Sequence, residues 1–134
     1  MLRDLDALLR LIEARQTRPF AWRQPDDCVS FAVLAIRAQF GWNPLERLRW
    51  SSKRGAARVL KRLGGLEAAA DARLIKIAPA RAMRGDIAGV ADPLFGVRLM
   101  VVEGDTLVGP GDRGLRRMPR STMIRAWSAE RPDV

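Results

Sequence analysis

Apolar residues recur at helical spacing through the N-terminal half of this chain, and the pattern predicts four helices. The first covers residues 2–15 and ends at Thr17-Arg18-Pro19. Its apolar stripe consists of Leu2, Leu5, Leu9 and Ile12, widened by Leu8 and Leu11. The second helix runs from Asp26 or Asp27 to Phe40 and is expected to cross the centre of the domain, because it is apolar and rich in small residues. The face that it should bury consists of Cys28, Phe31, Ala32, Ala35, Ile36 and Phe40 or Gln39.

The next two helices follow a connection at residues 45–50. The third begins at Ser51 or Ser52, either of which can cap it, and ends before Gly64-Gly65. The fourth covers residues 66–73. Together these segments make residues 1–73 the helical part of the chain.

The pattern then changes to short apolar runs separated by turns, which predicts a small sheet at residues 84–120. The turn Arg84-Gly85-Asp86 leads into residues 87–90, and Asp92-Pro93 interrupts the run. Residues 95–102 form a buried strand, 106–108 pair back through a hairpin, and 115–118 form a last strand. Ser121 should cap a closing helix over 121–127. Helices followed by strands predict a single α+β domain, residues 1–134, with N-terminal helices packed on an antiparallel sheet.

Composition narrows the function classes. The chain has 134 residues, 48% of them hydrophobic and 29% charged, so it can bury a core. It has one cysteine and no histidine, which argues against a disulfide framework and predicts no metal site and no cofactor. The start lacks the apolar run of a secretory signal, and no stretch is apolar enough to span a bilayer. We therefore expect synthesis in the cytoplasm without a membrane span.

The net charge of +9 favours anionic partners, and one helix concentrates it. A basic run consists of Arg47, Arg49, Lys53, Arg54, Arg58, Lys61 and Arg62. Its last four members fall on one face of the third helix, near Trp50. Phosphate contact with nucleic acid is one interpretation. A solvated outer face, opposite a buried side of Ala56, Val59, Leu60 and Leu63, is favoured, because no nucleic-acid-binding motif accompanies the charges.

The lone cysteine is the main candidate for chemistry. Cys28 lies at a predicted helix start, where the helix dipole lowers a thiol pKa and favours a nucleophile. The imidazole base that such a nucleophile normally needs is missing from the chain. Asp27 is expected to cap the helix, and its charge would raise the thiol pKa. A small buried hydrophobic residue is therefore the favoured interpretation of Cys28.

The order of motifs resembles the NlpC-like cell-wall peptidases, a branch of the papain-like cysteine hydrolases. An aromatic approach (Arg18 to Trp22) precedes Asp27-Cys28, and Arg84-Gly85-Asp86 then opens the sheet. In Leu94-Phe95-Gly96-Val97, Leu94 stands where that family has its histidine. The resemblance covers residues 18–120 and is closest to small phage and prophage tail proteins that also share Gly64 to Leu66 and Gly96-Val97.

The resemblance implies a papain-like fold and a vestigial site of Asp27, Cys28 and Leu94 without catalytic competence. It implies a structural or assembly component of a phage tail, at the tail tip, with hub, tape-measure and distal tail proteins as partners and peptidoglycan as a further contact. Trp42, Trp50, Arg54 and Arg58 are candidate partner contacts. Two alternatives stay open: an active hydrolase that borrows a base from a partner or uses Asp27, and a basic nucleic-acid-binding module.

Overall fold

The structure is a computed structural model that describes residues 2–133. Four helices precede a six-stranded antiparallel sheet, which confirms the predicted α+β class. The helices are α1 (Leu5–Ala14), α2 (Cys28–Phe40), α3 (Lys53–Arg62) and α4 (Leu66–Arg73). The strands are β1 (Ile75–Ile77), β2 (Ile87–Asp92), β3 (Gly96–Glu103), β4 (Thr106–Gly111), β5 (Gly114–Pro119) and β6 (Met123–Ser128). Within the described range, no helix combines the length and apolar character needed to cross a membrane.

The sheet has the strand order β1-β6-β2-β3-β4-β5 and separates two cores. Alternation along β3 shows the division, because Leu99 and Val101 face the helices whereas Met100 and Val102 belong to a smaller cluster on the other face. That smaller cluster is made mostly by the sheet itself. Its buried members are Ala82, Ala88, Val90, Met100, Val102, Leu107, Met123 and Ala126.

Helix α2 is the central element, as its composition predicts. It lies between α1 and strands β3 and β4. The predicted face is buried, with Phe40 half-buried and Gln39 fully inside. Gly41 ends the helix in a left-handed conformation with φ of 75°, which a residue with a side chain adopts at a cost. Because α2 packs on β3 and β4, its first residue, Cys28, lies against the middle of the sheet.

The turn at Arg84-Gly85-Asp86 ties both ends of the chain to the sheet. The carboxylate of Asp86 accepts hydrogen bonds from the guanidinium of Arg3 (2.8 Å) and the backbone N–H groups of Met83 (2.8 Å) and Ala129 (3.1 Å). Asp86 is only 2% exposed, so this turn is a structural anchor.

The predicted burial of α1 is wrong in detail. Leu8 and Ile12 are buried, and Leu11 packs against them, whereas Leu5 and Leu9 lie at the exposed margin and Leu2 is 93% exposed. Helical spacing is compatible with either stripe, and the contact with α2 selects the one centred on Leu8.

The predicted closing helix over 121–127 is also wrong. Residues 120–122 make one 3-10 turn, and β6 follows, paired with β2 on one side and β1 on the other. Strand β1 itself is not predicted. Met, Arg and Ala favour helix locally, but pairing with strands distant in sequence overrides that preference.

Candidate active site

Two neighbouring aspartates hold the start of α2 in place. Asp27 is the predicted N-cap, and one carboxylate oxygen accepts the backbone N–H of Ser30 at 2.8 Å. The other oxygen accepts the indole N–H of Trp50 at 2.6 Å. Burial raises the pKa of Asp27, and these hydrogen bonds only partly oppose the rise. Both oxygens are therefore engaged in structure.

Asp26 anchors the approach to the helix. Its carboxylate accepts from the guanidinium groups of Arg18 (2.6 Å), Arg15 (3.1 Å) and Arg23 (3.2 Å). Burial of Asp26 favours the protonated form, but the arginine hydrogen bonds and charges outweigh it and lower the pKa of the carboxyl. The segment that leads into α2 is thus folded around one buried charge. No pattern in the sequence indicated this cluster.

Cys28 is the first residue of α2 and is 2% exposed. Burial raises the pKa of its thiol from an ordinary value of 9.0 to about 11, and the charge of Asp27 raises it as well. The Leu99 backbone and Arg98 lower it by less. The expected lowering by the helix dipole is therefore outweighed by desolvation, because a thiolate loses its hydration at this depth.

A cavity of about 190 Å³ lies over Cys28. Leu94, in the turn between β2 and β3, is 58% exposed and lines the same cavity. The structure therefore brings together Cys28 and the residue predicted at the position of the lost histidine. The other lining residues are Phe20, Trp22, Leu66, Asp92, Phe95, Val97, Arg98 and Asp112.

Aromatic rings form one wall of this cavity. The Phe20 and Trp22 rings meet edge to face with centroids 5.2 Å apart, and the Trp22 and Phe95 centroids are 4.9 Å apart. The guanidinium of Arg98 lies 5.5 Å from the centroid of Phe20. The aromatic approach that the sequence suggested is thus part of the cavity.

Asp92 and Asp112 also line the cavity, and neither is among the site residues that the sequence predicts. One oxygen of Asp92 accepts the backbone N–H groups of Leu94 (3.0 Å) and Phe95 (2.8 Å), which fixes the turn that carries Leu94. At both positions the sequence indicates only a turn, because aspartate stands next to proline or glycine. A predicted turn does not show that the side chain lines a cavity. Among residues 2–133, the sulfur of Cys28 has no side-chain hydrogen-bond partner, and its hydrogen-bonding neighbour is the backbone of Leu99.

The candidate partner contacts separate into two groups. Arg54 and Arg58 are exposed on α3, and Trp42 is half-buried, with its indole N–H donating to the Ala129 carbonyl at 3.0 Å. Trp50 is 7% exposed, so the structure corrects its expected role as a surface contact. Its bond to Asp27 makes it part of the core.

One family model, described as a domain of unknown function, matches residues 3–129. No curated protein matches the chain. Because the match extends over nearly all of the 134 residues, the chain belongs to the DUF6950 family.

Proposed function

We propose that this protein is a non-catalytic structural or assembly component of a phage or phage-derived tail, located at the tail tip. Its fold would be a degenerate form of the NlpC-like, papain-like peptidase fold. Hub, tape-measure and distal tail proteins would be its partners, with peptidoglycan as a possible contact surface. The motif order along the chain supports this reading, and the α+β architecture is compatible with it.

The observation that carries the proposal is the shared cavity of Cys28 and Leu94. In the peptidases that the sequence resembles, the corresponding positions hold the nucleophile and its base. Here the first is a buried thiol with a pKa of about 11 and the second is an aliphatic side chain. On this proposal, the cavity keeps the two positions but not the thiol–imidazole pair that moves protons in those peptidases.

Asp27 is a poor substitute for the missing base. Its two oxygens already accept the Ser30 and Trp50 N–H groups, and it makes no hydrogen bond to Cys28. General-base assistance contributes on the order of 10²–10⁴-fold to such reactions, so its loss removes most of the catalytic rate.

Peptidoglycan fragments test the absence of catalysis. We expect no cleavage by the protein, alone or mixed with purified tail proteins. Cleavage that disappears in Cys28→Ala would show an active hydrolase and would overturn the proposal.

Substitution at Leu94 tests the relation between the two cavity residues. In Leu94→His, an imidazole placed near the thiol should raise the rate of Cys28 alkylation by iodoacetamide at pH 7–8 at least about tenfold over Leu94→Gln, because it stabilises the thiolate. Leu94→Gln controls for a change of access. Equal rates in the two variants would mean that residue 94 does not occupy the position of the lost base.

The location in a tail is tested on purified tail particles by antibody labelling and electron microscopy. Label at the tip is expected. Particles that lack the protein, obtained from a host that produces it, would contradict the assembly role whatever the outcome of the cavity experiments.

A further inference from the structure

The outward face of α3 is a surface of unpaired positive charge. Its five basic side chains are all exposed, and none of them forms an ion pair or a side-chain hydrogen bond with any residue in the described range 2–133. We call these residues the α3 basic face: Lys53, Arg54, Arg58, Lys61 and Arg62.

Seven arginines and lysines outside α3 form ion pairs, whereas none of the five on α3 does so within the described chain. Each ion pair of the described chain uses an arginine or lysine outside α3. The sequence explains the contrast, because no acidic residue lies between Glu46 and Glu67. Glu67 at the start of α4 pairs with Arg125 of β6 at 3.1 Å, so it faces the sheet. The α3 basic face is therefore left without neutralising carboxylates.

The chemistry of this face distinguishes between possible partners. A protein interface needs a buried apolar centre, usually with aromatic anchors, and lysine is depleted there. The α3 basic face has no apolar centre and no aromatic anchor. The large exposed apolar side chains of the described chain lie on other elements, and Trp50 is buried. Proteins that bind nucleic acid without sequence specificity do so through charge, by placing lysine and arginine against the phosphates. The α3 basic face has the side chains for this kind of contact.

We propose that the α3 basic face binds the phosphate backbone of nucleic acid without reading its sequence. The inference is independent of the role proposed for the cavity. The ten-residue helix is about 15 Å long, enough to follow a few successive phosphates. The buried side of α3, which includes Ala56, Val59 and Leu60, holds the helix on the core while the cations face outward. No aromatic or amide side chain on the face is placed to read bases.

The test is fluorescence anisotropy with a labelled 20-nucleotide single strand and the matching duplex, over a salt series. Arg54→Glu/Arg58→Glu changes the net charge by −4, and so does the control Arg113→Glu/Arg116→Glu, at two exposed arginines around the β4–β5 turn. We expect the α3 variant to bind at least tenfold more weakly and the control less than threefold. The α3 variant should also lower the salt slope by about one to two units.

Three outcomes would overturn the proposal. Equal losses in the two variants would show a response to net charge alone. Absence of binding at about 150 mM salt would show that the face does not hold nucleic acid. Polyglutamate that competes as well as the oligonucleotide at equal charge would point to an acidic protein partner. Arg54→Gln/Arg58→Gln, which should give a smaller loss in the same direction, and thermal unfolding of each variant separate weakened binding from misfolding.

Discussion

Two arginine-rich regions of this molecule use the same side chain in opposite ways. Before α2, Arg15, Arg18 and Arg23 converge on the buried carboxylate of Asp26. On α3, the cations point to solvent without an acidic partner in the described chain. The first region holds a loop against the core, whereas the second contributes charge to the surface.

The difference between the two regions shows that a net charge of +9 does not by itself indicate a binding surface. A total does not distinguish a guanidinium that stabilises the fold from one that is free to meet a partner. Burial of the opposing carboxylate makes the distinction, because a buried charge needs a partner whereas a solvated one does not. The comparison therefore predicts large effects on stability around Asp26 and small ones on α3.

The largest effect should come from Asp26→Asn. This substitution removes the charge that three arginines surround and leaves Arg15, whose side chain is 14% exposed, without its ion-pair partner. We expect the free energy of unfolding to fall by about 3 kcal/mol, measured by urea denaturation. A loss below about 0.5 kcal/mol would mean that the cluster resembles an exposed ion pair, and the contrast with α3 would disappear.

The same variant should change the dependence of stability on pH. The pKa of Asp26 is lowered in the folded protein, so its contribution is present above an unfolded value of about 3.8 and is lost as pH falls through the folded pKa. Asp27 has the opposite sign, because its pKa is raised. We expect the difference between wild type and Asp26→Asn to be large at pH 6 and to shrink progressively below about pH 4. A constant difference from pH 6 to pH 2 would contradict this assignment.

Within the cluster, Arg15→Ala should be more destabilising than Arg23→Ala. Arg15 is largely buried and also donates to the Pro25 carbonyl at 3.0 Å, whereas the Arg23 side chain is 64% exposed. We expect losses of about 1–3 kcal/mol and less than about 1 kcal/mol respectively in thermal or urea unfolding. The reverse order would show that burial does not rank the three arginines.

The smallest effect is expected on α3. Arg54→Gln and Arg58→Gln should each change the free energy of unfolding by no more than about 0.5 kcal/mol, because neither guanidinium has a partner in the described chain. Urea unfolding at low and high salt measures this directly. A larger loss would reveal a structural role for these arginines and weaken the contrast with Asp26.

Elements that depend on interactions between residues close in sequence are predicted correctly. Elements that depend on contacts between distant residues are not. Helices α2, α3 and α4 lie close to the predicted positions, because the Asp27 and Ser52 caps, Gly41 and Gly64-Gly65 are local signals that mark where α2 and α3 begin and end and where α4 begins. Strand β6 was mistaken for a helix, since its pairing with β2 joins residues far apart in sequence. The α1 stripe failed for the same reason, as the contact with α2 selects it.

The candidate site divides in the same way. The cap at Asp27 is a contact over three residues and was predicted, as was the position of Cys28 at the helix start. The bond from Trp50 spans 23 residues, and it turned a supposed surface anchor into part of the core. The carboxylates of Asp92 and Asp112 reach the cavity only through the turns of the sheet.

By itself, the sequence determined the helical half, the α+β class, the capped start of α2 and the absence of any imidazole. Only the tertiary structure decided the depth of Cys28, the residues that share its cavity, the three arginines around Asp26 and the solvent exposure of the α3 basic face. Local patterns specify hydrogen bonds within a few residues, whereas burial and charge pairing depend on which distant segments pack together.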